Sequence, residues 1–121
     1  MREQKYRAWD KEKKKYVFGI EYFDLYAPLE YEDLSFSDFL NDENFDVEQY
    51  IELQDITGKE VYEGDKFKII HTMYIVCFNE GKFYLEIEDI YNIGHAKILD
   101  IVNCKDFEII GNIHENRDQS K

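Results

Sequence analysis

Two cysteines, three histidines and twenty-seven carboxylates are the groups in this 121-residue chain with the means for covalent, metal or acid–base chemistry. Cys77 and Cys104 form no CxxC pair, and His71, His95 and His114 form neither HxxxH nor HExxH. Metal sites draw on such short spacings or on a fold that gathers distant ligands, so none is expected from His71, Cys77, His95 and Cys104. Cys77 lies in the apolar run MYIVCF, the setting of a small buried hydrophobe, and Cys104 precedes Lys105 and Asp106 in a turn. Neither position implies a disulfide, and the chain reads as reduced and cytoplasmic. A Cys104 thiolate beside His95 or His114 would lack the third, orienting group of a catalytic triad. GxSxG, P-loop and GxGxxG motifs are absent. Paired carboxylates can cleave glycosides when two are held at a fixed separation, but at this density of Asp and Glu any two can coincide. The expectation is a protein that is not an enzyme and carries no cofactor or metal.

The distribution of the carboxylates is more informative than their number. The net charge of -12 opposes nucleic acid and anionic lipid as general partners. No apolar run approaches the roughly 20 residues of a membrane span, and MREQKYRAWDKEKKK lacks the apolar core of a signal peptide. Residues 1–20 carry seven basic and three acidic side chains, whereas Glu21 to Asp55 carries twelve acidic residues and no Lys, Arg or His. Eight aromatic rings are interleaved with those carboxylates. The rings can pin the segment to a surface while its charges stay in water. Such a segment is either an insertion folded on the protein's own core or a docking surface for a basic partner. A small core cannot hide all the rings, so some of Tyr22, Phe23, Tyr26, Tyr31 and Phe36 are expected at the surface. With Asp24, Glu30, Glu32 and Asp33 they make the candidate interaction surface, for a protein partner or a second copy. Carboxylates without an internal cation should also repel one another, so salt or a lower pH should stabilise this stretch. The basic run Lys11 to Lys15 is the alternative site, either a solvated hairpin tip or a nucleic-acid contact; a third reading is mimicry of nucleic acid by the carboxylates.

The elements that must position these groups read as strands. Gln4 to Trp9 alternates, turns at Asp10 to Lys15 and resumes at Tyr16. Ser35 or Ser37 caps a short helix with Asp38 in its first turn and Phe36, Phe39 and Leu40 on one face. Turns at Thr57-Gly58-Lys59 and Tyr62-Glu63-Gly64-Asp65 precede the apolar runs KFKII and MYIVCF. Asn79-Glu80-Gly81-Lys82 predicts a hairpin into FYLEIE. Ala96 to Val102 fits a strand or a short helix, Phe107 to Ile110 a last strand, and the polar tail 116–121 frays. The expected core is Trp9, Phe67, Ile69, Val76, Phe78, Phe83, Leu85, Ile109 and Ile113.

Three segments together resemble the YopX family, small proteins of bacteriophages and prophages of Gram-positive bacteria. They are MREQKYRAWDKEKKKYV, LQDITGKEVYEGDKFKI and FEIIGNIHEN, in that order. The resemblance implies one mostly β domain over 1–121, a small antiparallel barrel-like (SH3-like) fold with the acidic, partly helical segment 21–55 as an insertion. It implies a bacterial host cytoplasm and supplies no catalytic residue. Trp9, Gly58, Tyr62, Gly64, Asp65, Gly111 and Asn112 lie in the matching segments. Fold-making roles account for several of them: positive φ at Gly58 and Gly64, a turn cap at Asp65, a ring anchor at Trp9 and a strand bend at Gly111.

Overall fold

Alternating apolar residues and turn-forming carboxylates set the strands. β1 (Tyr6–Asp10) and β2 (Lys15–Phe18) pair antiparallel with Ala8 opposite Val17 and Trp9 opposite Tyr16. Asp10 builds the turn between them: Oδ1 accepts the backbone N–H of Glu12 and Lys13 at 3.0 Å, and its carbonyl accepts that of Lys14 at 2.7 Å. α1 (Phe36–Asn41) starts at a capping box in which Ser35 and Asp38 each accept the other's backbone N–H. β3 (Phe45–Gln54) then pairs antiparallel with β1. The structure, a computed structural model, describes residues 4–88 and 98–114.

The chain divides into two compact units, Met1–Tyr50 and Ile51–Lys121. In the first, one face of β1 and β2 contributes Ala8 and Val17 to a core with Ile20, Phe23, Tyr31 and Phe39. The acidic segment therefore supplies three of the six buried members of this core, Phe23, Tyr31 and Phe39. In the second unit the end of β3 lies beside β4 (Glu60–Tyr62), and five antiparallel strands follow. These are β5 (Asp65–Ile69), β6 (Thr72–Asn79), β7 (Lys82–Ile87), β8 (Ile98–Asp100) and β9 (Ile109–Asn112), ordered β8-β7-β6-β5-β9. Their core holds Ile51, Val61, Phe67, Tyr74, Val76, Leu85, Cys104 and Ile109. The fold is mostly β and antiparallel, as the alternation predicts.

The family-like segments make turns. The Asp55 carboxylate accepts from Thr57 N–H, Thr57 Oγ1, Lys59 N–H and Ile109 N–H at 2.7 to 2.9 Å. That leaves Gly58 at φ 92°, where a Cβ is strained. Asp65 accepts the Tyr62 N–H at 2.8 Å across the turn that holds Gly64 at φ 91°. Beside Gly111 the β5–β9 register slips, Lys66 facing Gly111 and Phe67 facing Ile109, so Ile110 is the extra residue of a bulge. Asn112 is buried and its side-chain oxygen accepts the His114 N–H.

Several expectations are corrected. Phe78 and Ile113 are exposed, because Phe78 stands at the tip end of β6 with its ring 4.8 Å from that of Phe83, and Ile113 follows the last strand. Trp9, Ile69 and Phe83 are mostly buried as expected, Ile69 and Phe83 packed against the second core and Trp9 edge-on to Tyr16. Leu40 faces solvent at the end of α1. Cys104 sits in a 3-10 turn (Ile101–Asp106) that carries it into the core, whereas Cys77 alternates onto the polar face of β6 opposite Tyr84. Ile98 to Asp100 is strand, while residues 96–97, His95 and the tail 116–121 lie outside the described residues. Among the described residues no helix is long and apolar enough to cross a membrane.

Candidate interaction surface

The acidic segment is held by rings turned inward. Gly19, at φ 74°, ends β2 and starts a 3-10 turn at Ile20–Tyr22. Ile20 and Phe23 enter the core, where the Phe23 ring meets Phe39 edge-on at 5.3 Å. A second 3-10 turn, Leu29–Tyr31, delivers Tyr31 beside Phe39 and Phe45. Its hydroxyl donates to Asp10 Oδ2 at 2.8 Å, and Asn44 Nδ2 donates to Asp10 Oδ1 at 3.0 Å. Burial pushes the Asp10 pKa up, but these two donors and the Lys13 and Glu12 N–H groups outweigh it and hold the carboxyl below its ordinary value. Burial and the Asp10 carboxylate push the Tyr31 phenol in the opposite direction, upward. Farther along, Asp24 Oδ1 accepts the Phe36 N–H at 3.2 Å, tying the loop to the start of α1.

Between these anchors the outward positions are apolar. Tyr22, Leu25, Tyr26 and Leu29 are 53%, 82%, 73% and 84% exposed. The backbone N–H groups of Leu25 and Tyr26 both donate to the Tyr22 carbonyl, at 2.9 and 3.1 Å, which gathers these three residues in one turn. Asp24, Glu30, Glu32 and Asp33 are exposed around them. Of the residues read as a surface from the sequence, Tyr22, Tyr26 and the four carboxylates are exposed. Phe36 is half-buried with its ring 5.0 Å from Tyr6. Phe23 and Tyr31 are corrected to core residues, because the two 3-10 turns rotate them inward. Leu25 and Leu29 were missed; with Tyr22 and Tyr26 they stand at i, i+3, i+4 and i+7, a spacing visible in the sequence.

The basic hairpin lies on this segment within the same chain. Lys13 and Lys15 both contact the Glu30 carboxylate, at 2.7 and 2.8 Å, and Lys13 stands 4.7 Å from the Tyr31 ring centroid. Lys11 donates to the Glu43 carbonyl at 2.8 Å and pairs with Asp46 at 3.4 Å. Hydrogen bonds from the two lysines hold the Glu30 carboxyl below its usual range. Arg7 and Glu48 form a buried pair at 2.8 Å, capped by the Tyr16 hydroxyl at 2.9 Å. The acidic stretch thus has cations from residues 7–15, and three lysines of the candidate nucleic-acid run are engaged with it.

Among the described residues the remaining chemistry-bearing groups offer no constellation. Burial, with Glu86 and Glu63 nearby, pushes the Cys77 thiol up to about 11, and burial with Asp55 pushes Cys104 to about 11, so both are thiols rather than nucleophilic thiolates at neutral pH. Both are free. Among the described residues no three His, Cys, Asp or Glu converge on a common point.

The family model described as YopX protein matches residues 5–118. No curated protein matches the chain. Among solved structures, the crystal structure of protein EF1440 from Enterococcus faecalis is similar over 100% of both chains, with a TM-score of 0.60 and 22% sequence identity. At that identity the likeness speaks for the fold.

Proposed function

The chain belongs to the YopX family, and from that premise we propose that it is a phage or prophage accessory protein acting by protein–protein contact, not catalysis. The observation that carries this reading is the run Tyr22, Leu25, Tyr26 and Leu29. It exposes four large apolar side chains in eight residues, while neighbouring Ile20, Phe23 and Tyr31 are buried. Exposed aromatic and aliphatic side chains in a cluster are the usual material of protein interfaces, and single exposed ones are not. Anchoring by the core gives the cluster a fixed shape, which lowers the ordering cost of binding.

Affinity capture of the tagged full chain from a bacterial lysate, with and without nuclease, tests it. A stoichiometric protein recovered in both conditions, and lost with Tyr22→Ser/Tyr26→Ser, is the expected result. Phe23 is left untouched in this variant because its removal would open the core. Recovery that depends on nucleic acid, or that ignores the double change, would count against the reading.

A further inference from the structure

Resting on that interaction reading, we infer that the occupant of the 22–29 ridge is an amphipathic segment of another protein, an apolar stripe flanked by Lys or Arg, and not a second copy of this chain. Four exposed apolar side chains call for an apolar counterpart. The exposed carboxylates Asp24, Glu32 and Asp33 call for cations beside it. Two copies meeting ridge to ridge would press these carboxylates together, and like charges facing across an interface oppose docking. Of the chain's own nearby lysines, Lys13 and Lys15 already share Glu30 and Lys11 is on Asp46, so of the 11–15 run only the exposed Lys14 could face the carboxylates of a second copy. The segment also displays how it holds an ammonium group. Lys13 rests between the Glu30 carboxylate at 2.7 Å and the Tyr31 ring face, a charge-assisted contact joined to a cation–π one. Tyr22 and Tyr26 offer exposed rings of the same kind on either side of Asp24 in the sequence.

Fluorescence anisotropy with the full chain and two labelled peptides, an amphipathic helix of Leu and Lys and its Leu and Glu counterpart, tests this, alongside sedimentation of the chain alone. The Leu/Lys peptide should bind, more weakly at high salt, and Tyr22→Ser/Tyr26→Ser should weaken it by roughly tenfold. The Leu/Glu peptide should not bind, and the chain alone should sediment as a monomer. Both substituted residues are solvent-exposed, so an unchanged circular dichroism spectrum is expected, and Leu25→Ser provides an independent second variant. Equal binding of the Leu/Lys peptide to parent and variants would mean that only the overall negative field is felt, and would overturn the inference. Equal binding of both peptides would do the same. A dimer that the double change dissociates would overturn it while keeping the ridge as a contact surface. If instead lysate capture ignores the double change, it is the interaction reading itself that fails.

Discussion

Asp10 ties the acidic segment to the β1–β2 turn. One carboxylate closes the β1–β2 turn through two backbone N–H groups and also receives Tyr31 from the acidic segment and Asn44 from the approach to β3. Each donor favours the ionised form, and burial of the site makes each bond worth more than at the surface. Tyr31→Phe keeps the ring in its place among Phe39 and Phe45 and removes only the hydroxyl. It should cost about 1.5 kcal/mol, the scale of a hydrogen bond to a charged group, seen as a lower urea midpoint with unchanged slope. A change under a few tenths of a kcal/mol would mean that water replaces the phenol at Asp10. The sequence reading counted Tyr31 as a surface ring, and nothing in the order of residues shows that a 3-10 turn would rotate it toward Asp10, twenty-one positions earlier.

At the scale of elements, what was legible is what repeats locally. The hairpin at Asn79 to Lys82, the alternation of β7 and a short helix capped by Ser35 or Ser37 are all contained within a few residues, and the structure settles the cap on Ser35, with Asp38 closing a box. β3 was only half visible. Its first residues, Phe45 to Gln49, mix Asp and Glu into the strand because Glu48 is neutralised by Arg7, a partner forty-one positions away. The same locality limited the interaction surface. Spacing could place Tyr22 with Tyr26, but which side of the 22–29 run would face the core depended on Phe39 and Phe45, contributed later in the chain. One element breaks its own local rule. The β5–β6 connection puts Ile70 at φ 61°, a left-handed conformation that a β-branched side chain resists, with the side chain 80% exposed. Ile70→Asn should therefore raise stability by about 1 kcal/mol, read as a higher thermal midpoint. A loss of stability would show that the Ile70 side chain makes a contact worth more than the strain.

For the whole molecule, the net charge of -12 gives a different expectation once the partners are known. The sequence alone suggested that acid would relieve repulsion in Glu21 to Asp55. Asp10, Asp55 and Glu30, however, all have their acid dissociation shifted below ordinary values by hydrogen bonds. At Asp55, as at Asp10, burial acts the other way and is outweighed, there by donors from Ile109, Thr57 and Lys59. A carboxylate whose folded pKa is depressed contributes stability above its unfolded pKa and loses it as pH falls through the folded one. The unfolded values lie near about 4, so the loss should begin there and deepen toward lower pH. Thermal midpoints should change little between neutrality and the pI of about 4.6, then fall steadily. A midpoint that keeps rising through that range would show that repulsion outweighs all three sites.

The interleaving of inward and outward residues from Ile20 to Tyr31 also bears on how this protein can diverge. Folding constrains the buried Ile20, Phe23 and Tyr31, whereas Tyr22, Leu25, Tyr26 and Leu29 turn most of their surface to solvent. On the proposed contact reading, a substitution at one of the outward positions redirects recognition without disturbing the inward set. Among related chains with different partners, identity should then persist at the first set and drift at the second. The boundary between heritable scaffold and adaptable contact would then run between adjacent residues, not between domains.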